Sequence, residues 1–147
     1  YQANHPLVYA VAFNRALGIF HRLGDDPSDE TLPGLLMLRT EGRLTFANAA
    51  NVQEKMQALL AATTPAPRVV VLECSAIPDI EYTALMMLVE AERRQRERGV
   101  SLWLAGLNPG FEAVIDRSPL GPILGAGRRF HNLQQALAAF ERAEGKS

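Results

Sequence analysis

At 147 residues and a formal net charge of −1, the chain is long enough to bury a real core as one domain. It carries no overall bias toward nucleic acid or anionic lipid. Its 48% apolar content is that of a globular protein, and its one cysteine, Cys74, excludes an internal disulfide and suits a reducing compartment.

No apolar run approaches the roughly 18 residues that span a bilayer, and there is no charged-then-apolar leader. His5, His21 and His131 are far apart and show no metal-ligand spacing. A start on Tyr1 rather than Met points to a piece of a larger protein.

Leu7 to Phe13 (LVYAVAF) reads as a short strand with Tyr9, Val11 and Phe13 on one face. Asn14 to Leu23 has no clean period; Leu17, Phe20 and Leu23 suggest a helical stripe. Gly24 to Glu30 is an acidic, turn-rich loop expected in solvent. Leu35 to Arg39 and Leu44 to Phe46 flank Thr40-Glu41-Gly42-Arg43 and read as a β-hairpin. Asn48 or Asn51 then caps a helix whose apolar stripe is Val52, Met56, Leu59 and Leu60, ending at Thr63-Thr64-Pro65-Ala66-Pro67.

The β-branched run Val69 to Leu72 suits a central strand covered on both faces. A turn, Pro78 to Ala84, leads into a helix with Ala84, Leu85, Leu88, Val89 and Ala91 inward. Glu90→Arg94 and Glu92→Arg96 are i,i+4 pairs of favourable orientation. Gly99 is a natural helix stop, because glycine takes φ > 0 without a Cβ clash.

Val100 to Ala105 is the next strand, and Asn108-Pro109 starts a helix with Phe111, Val114 and Ile115 on its apolar face. Ser118 to Arg129 reads as a mobile Pro/Gly-rich connection, Phe130 as a short edge strand, and Asn132 as the cap of a last helix bearing Leu133, Ala136, Leu137 and Phe140. Ala143 to Ser147 is expected to fray. Strands alternating with helices give an α/β fold: a mixed, mostly parallel sheet that starts with a β-hairpin.

The order of elements, with Val69–Leu72 leading to Ile80-Glu81-Tyr82-Thr83-Ala84-Leu85, resembles the STAS domain of sulfate transporters and anti-sigma-factor antagonists. The turn that usually reads Asp-Ser-Ser-Gly places Glu81 on the aspartate, Tyr82 on the first serine, Thr83 on the phosphorylatable serine and Ala84 on the glycine. Gly34-Leu35 to Arg39, Glu41-Gly42-Arg43-Leu44 and Phe46-Ala47-Asn48-Ala49 resemble the C-terminal domains of SulP-type anion permeases.

The resemblance implies a STAS-like (SpoIIAA-like) fold over residues 35–147, with about four helices packed mainly on one face. Residues 1–34 form an arm and acidic loop packing on it. It implies a non-enzymatic regulatory or interaction domain of a permease for sulfate, bicarbonate or a related anion. Such a domain is soluble and sits at the cytoplasmic face of the bacterial inner membrane. It partners the transporter's transmembrane part and cytosolic regulatory proteins, takes no cofactor and binds no nucleic acid. A stand-alone antagonist switched by phosphorylation, or a nucleotide-binding module, are the alternatives.

Asp79, Ile80, Glu81, Tyr82 and Thr83 form the expected interaction turn. Thr83 reads most simply as a helix cap; the resemblance makes it a possible phosphosite, whose charge a helix N-terminus favours. Asp79 and Glu81 read as a solvated acidic turn rather than a catalytic pair, since no His, Lys or nucleophile accompanies them. Cys74 reads as a buried small hydrophobe, and Trp103 as core. Gly121, Gly125 and Gly127 with Arg128 and Arg129 match neither phosphate-loop fingerprint. Arg93, Arg94, Arg96 and Arg98 form a solvated basic helix end, or a contact to anionic headgroups if a bilayer lies nearby.

Overall fold

The computed structural model describes residues 7–145; Tyr1, His5 and the last two residues of the tail lie outside the described residues. The elements are β1 (Val8–Asn14), β2 (Ile19–Arg22), β3 (Leu35–Thr40), α1 (Phe46–Ala62), β4 (Val69–Glu73), α2 (Tyr82–Glu97), β5 (Ser101–Ala105), α3 (Pro109–Asp116), α4 (Leu120–Leu124), β6 (Arg129–Phe130) and α5 (Leu133–Gly145). They build one six-stranded sheet in the order β2-β1-β3-β4-β5-β6. β1 is antiparallel to β2 and β3, and β3 through β6 are parallel. Residues 7–34, expected to pack on the domain as an arm, contribute two strands to its sheet.

The run Val69–Leu72 lies between β3 and β5, and both its faces are covered. On one face Leu36, Leu38, Leu72 and Leu104 pack beneath α1 to α4, through Val52, Leu85, Phe111, Ile115 and Leu120. On the other, Leu35, Met37, Val71 and Ala105 pack beneath α5, through Leu133, Ala136, Leu137 and Phe140. Coverage on both faces is why β4 is apolar without alternation. Trp103 joins the second core beside Phe130 and Phe140, at ring centroid distances of 5.1 and 6.4 Å. Among the described residues there are five helices: four lie on one face, in line with the expected packing, and α5 is alone on the other.

Five local expectations are corrected. The antiparallel hairpin is β1–β2, not residues 35–46. β3 already has β1 on one side and β4 on the other, so no edge remains for a returning strand. Leu44 makes a parallel bridge to Ile80 instead, and Phe46 begins a helix. The cap of that helix is Thr45, not Asn48 or Asn51; Asn48 completes it by accepting the Thr45 N–H at 3.0 Å.

The suggested helical stripe in 14–23 is a turn and a strand. Gly18, at φ 69°, closes the turn. Phe20 then stacks across the strand pair on Phe13 at 4.9 Å. The acidic loop is not wholly in solvent: the Asp29 side chain is 2% exposed and pairs with His21 and the Asn14 amide. The Ser118–Arg129 connection contains α4, with Leu120 and Leu124 buried.

Candidate functional site

The turn after β4 is held by backbone bonds to a segment more than thirty residues upstream. The Leu44 N–H donates to the Asp79 carbonyl at 3.2 Å, and the Glu81 N–H donates to the Leu44 carbonyl at 2.9 Å. Ile77, fully buried, anchors the start of the turn in the core. Asn108 braces it from the other side. Its Oδ1 accepts the Phe111 N–H at 2.8 Å, capping α3, while its Nδ2 donates to the Pro78 carbonyl at 3.0 Å.

Side chains complete the site. Arg43 lies between two carboxylates, with Nε 2.6 Å from Asp79 Oδ1 and Nη1 3.2 Å from Glu81 Oε2. The other Glu81 oxygen, Oε1, accepts the N–H of Phe46 at 2.7 Å. Phe46 is the first residue of α1, so its N–H has no partner within its own helix. The Phe46 N–H, first, and Arg43, second, hold the Glu81 carboxyl below the usual carboxylate range. The bond to Glu81 and the charge of Asp79 push the Arg43 guanidinium up. A carboxyl held ionised in this way, as that of Glu81 is, is a poor proton donor at neutral pH. The acidic turn is open to solvent, and Arg43 in addition ion-pairs it into a clasp between two helix starts.

Glu81 is the N-cap residue of α2 by backbone conformation, φ −72° and ψ 154°. Thr83 lies two residues further in and is exposed, so its expected role as the cap is corrected. Ala84 is buried against the core in regular helix, at a place that requires no glycine. Ile80 is half-buried in the bridge to Leu44. Tyr82 projects outward at 73% exposed, and Phe46 across the clasp is 72% exposed. Sequence reasoning missed Arg43 and Phe46 as members of the site. Their partners lie 35 or more positions away, and no local pattern marks such a pair.

The remaining candidates fall elsewhere. Cys74 is buried, and burial pushes its thiol up, away from the reactive thiolate. Arg129 turns inward to Glu112 at 2.9 Å, Asp116 at 2.5 Å and the Gly121 carbonyl at 3.2 Å, and so offers no cradle for a phosphate. Along α2, Arg93 pairs with Glu90 and Glu97, Arg94 with Glu90, and Arg96 with Glu92, so the basic helix end is largely neutralised. Among the described residues, no group of three or more His, Cys, Asp or Glu side chains is placed to hold a metal ion.

A sequence profile of the STAS domain matches residues 26–136. Among curated proteins, high affinity sulfate transporter 2 of Stylosanthes hamata is 22% identical over 147 aligned positions, covering 95% of this chain and 22% of the relative. The probable sulfate transporter Rv1739c of Mycobacterium tuberculosis (strain ATCC 25618 / H37Rv) is 23% identical over 138 positions, covering 94% and 25%. The chain thus spans about a quarter or less of the length of these relatives.

Among solved structures, the murine Slc26a9 anion transporter superposes with a TM-score of 0.85 at 14% identity, covering 97% of this chain and 23% of that one. A sulfate transporter family protein from Wolinella succinogenes gives 0.65 at 25% identity, covering 82% and 97%. An anti-sigma factor antagonist from Mycobacterium paratuberculosis gives 0.62 at 14%, covering 92% and 94%.

Proposed function

The chain belongs to the STAS domain family, and on that premise we propose that it is the regulatory and interaction domain of a SulP-type membrane transporter for sulfate or a related anion such as bicarbonate. The observation that carries this reading is the alignment. Nearly the whole chain matches sulfate transporters, yet it spans only 22–25% of their length. A separate membrane part accounts for the rest. No helix among the described residues is long and apolar enough to cross a membrane, which suits a domain hung at the cytoplasmic face of a bacterial inner membrane.

The domain acts by contact rather than catalysis. Its interaction surface is the turn Asp79 to Thr83 with the adjoining face of α2, and Asp79 and Glu81 in that turn are ion-paired to Arg43. A preformed surface loses little conformational entropy on docking. Deleting the domain from the intact transporter is expected to lower anion uptake or the amount of transporter in the membrane. Unchanged uptake and unchanged abundance would refute the reading.

The second reading is a stand-alone antagonist switched by phosphorylation. Thr83 favours it, being exposed in the first turn of α2, where the helix dipole stabilises a phosphate. Incubation with a cognate kinase and mass spectrometry tests it; an unmodified Thr83 removes the switch.

A further inference from the structure

The two edges of the sheet are finished differently. At the β6 edge the strand is two residues long, and the N–H that follows it, that of His131, is taken by Gln135 Oε1 at 3.2 Å. At the β2 edge the ladder stays open. The Phe13 N–H and C=O both bond to Glu30, on the side away from β2, so Phe20, which faces Phe13, stands in a non-bonded pair. By alternation Phe20 and Arg22 turn their backbone groups outward, while the Leu23 N–H donates inward to the Ala10 carbonyl at 2.9 Å. The Arg22 carbonyl also accepts the Asp25 N–H at 3.3 Å, which leaves it a second lone pair.

An open edge is a template for another strand, and the side chains of this one fit its own copy. Ile19, His21 and Leu23 share one face, with Ile19 and Leu23 each 46% exposed; Phe20 and Arg22 share the other. Antiparallel pairing centred on His21 sets Ile19 opposite Leu23 twice and Phe20 opposite Arg22 twice. The first are apolar pairs. The second bring a guanidinium beside an aromatic ring, as Arg22 already lies 5.0 Å from the centre of the Tyr9 ring. The two His21 side chains meet at the centre, each beside its own Asp29 carboxylate at 2.5 Å. Centring on Phe20 instead loses the pairs of Ile19 with Leu23, and centring on Arg22 sets two guanidinium groups directly opposite each other, which is destabilising.

We propose that β2 pairs antiparallel with β2 of a second copy of this chain, joining two six-stranded sheets into one across a two-fold axis beside His21. The same patch serves both copies, as a two-fold contact requires. A contact this short falls below the roughly 1,200 Å² that stable complexes bury, so it forms and breaks, and is populated where copies are held close. Nothing in this pairing requires a membrane part.

Disulfide trapping in the full-length protein, in the cells that produce it, tests the register. Ile19→Cys and Leu23→Cys both change exposed positions, and Cys74 is buried. Four residues apart along one strand, the two new cysteines are about 13 Å apart and cannot join within a chain. In the proposed pair they face each other at a non-bonded position, with Cα atoms about 4.5 Å apart, within disulfide range. Diamide is the oxidant and takes up the two electrons and two protons that the thiols release. The double variant is expected to give a species of twice the chain mass that dithiothreitol reverses. Copies with Ile19→Cys co-expressed with copies with Leu23→Cys should give it too, and either single variant alone should stay at the level of the unaltered protein. No cross-link from the double variant overturns the proposal. So does an equal yield from a single variant, or linkage only to other proteins. If the full-length sequence holds no membrane helices, the transporter reading fails and this test is unaffected.

Discussion

Glu81 accepts the N–H of Phe46 at 2.7 Å while its own backbone caps α2, so one residue joins the starts of two helices that are 35 positions apart in the chain. Arg43 closes the arrangement by holding Glu81 and Asp79 together. The Glu81 side chain reaches across to α1 instead of back onto its own helix.

Replacing Glu81 by Ala should free the Phe46 amide and release Arg43. Amide exchange at Phe46 is expected to accelerate, with little change at buried positions such as Leu72. Glu81→Gln keeps an acceptor and should show a smaller effect. The pH dependence follows from the lowered carboxyl. The folded state binds this proton less readily than the unfolded chain does. The stabilising contribution is therefore full above the unfolded value of about 4.3 and is lost as pH falls through the lower folded value. A titration in which Phe46 protection, taken relative to the intrinsic exchange rate at each pH, does not fall under acid conditions would contradict this.

Gly106 follows β5 at φ 76°, and a Cβ there would lie 2.7 Å from Glu73 Oε2 and 3.3 Å from the Ser75 N. Glu73 is buried and bound to Arg39 at 3.0 Å and to the Ser75 hydroxyl at 2.9 Å, so it cannot yield freely. Gly106→Ala is expected to cost about 1–3 kcal/mol from the left-handed backbone alone, with crowding of Glu73 added. Urea unfolding measures it, and an unchanged midpoint would contradict it.

Leu104 is fully buried where β5 meets the cover of α1 to α4. Leu104→Ala removes three heavy atoms from a packed core and is expected to cost about 2–5 kcal/mol. Leu17→Ala, in the exposed β1–β2 turn, should change stability by less than about 0.5 kcal/mol. Equal effects at the two positions would mean that the core is not where the structure places it.

Glu92 is buried in α2, with a side chain 1% exposed, and its counter-charge is the half-exposed Arg96, at 2.9 and 3.2 Å. Removing the arginine strands the carboxylate, whereas removing the carboxylate leaves an arginine that water can solvate. Arg96→Ala is therefore expected to lower Tm more than Glu92→Met. It should also lower Tm more than Arg94→Ala, whose partner Glu90 is at the surface. The reverse order would show that Glu92 is not held as described.

Much of the fold was legible in the chain, where the signal is local. The run Val69–Leu72 marked the centre of the sheet, and Gly99, at φ 82°, stopped α2. Asn108-Pro109 started α3, and the period of Leu133, Ala136, Leu137 and Phe140 defined the buried face of α5. The site was legible only in part: the turn Asp79 to Thr83 was placed correctly at the head of a helix, without the residues that hold it. Asp79 and Glu81 looked like loose surface acids because Arg43 is remote in sequence.

By itself, then, the sequence determined which segments are strand or helix wherever a periodic stripe, a cap or a glycine stop acts within a few residues. It also determined the family, through the order of those segments. Tertiary structure alone decided what Leu44, Phe46 and Arg43 do. Whether Leu44–Phe46 pairs as a strand depends on whether β3 has a free edge, and β1 and β4 have already taken both. Whether Glu81 is an unpartnered surface acid or a clasp depends on what the folded chain brings within 3 Å of it. Edges and distant partners exist only after the sheet has assembled, so no local pattern of residues encodes them.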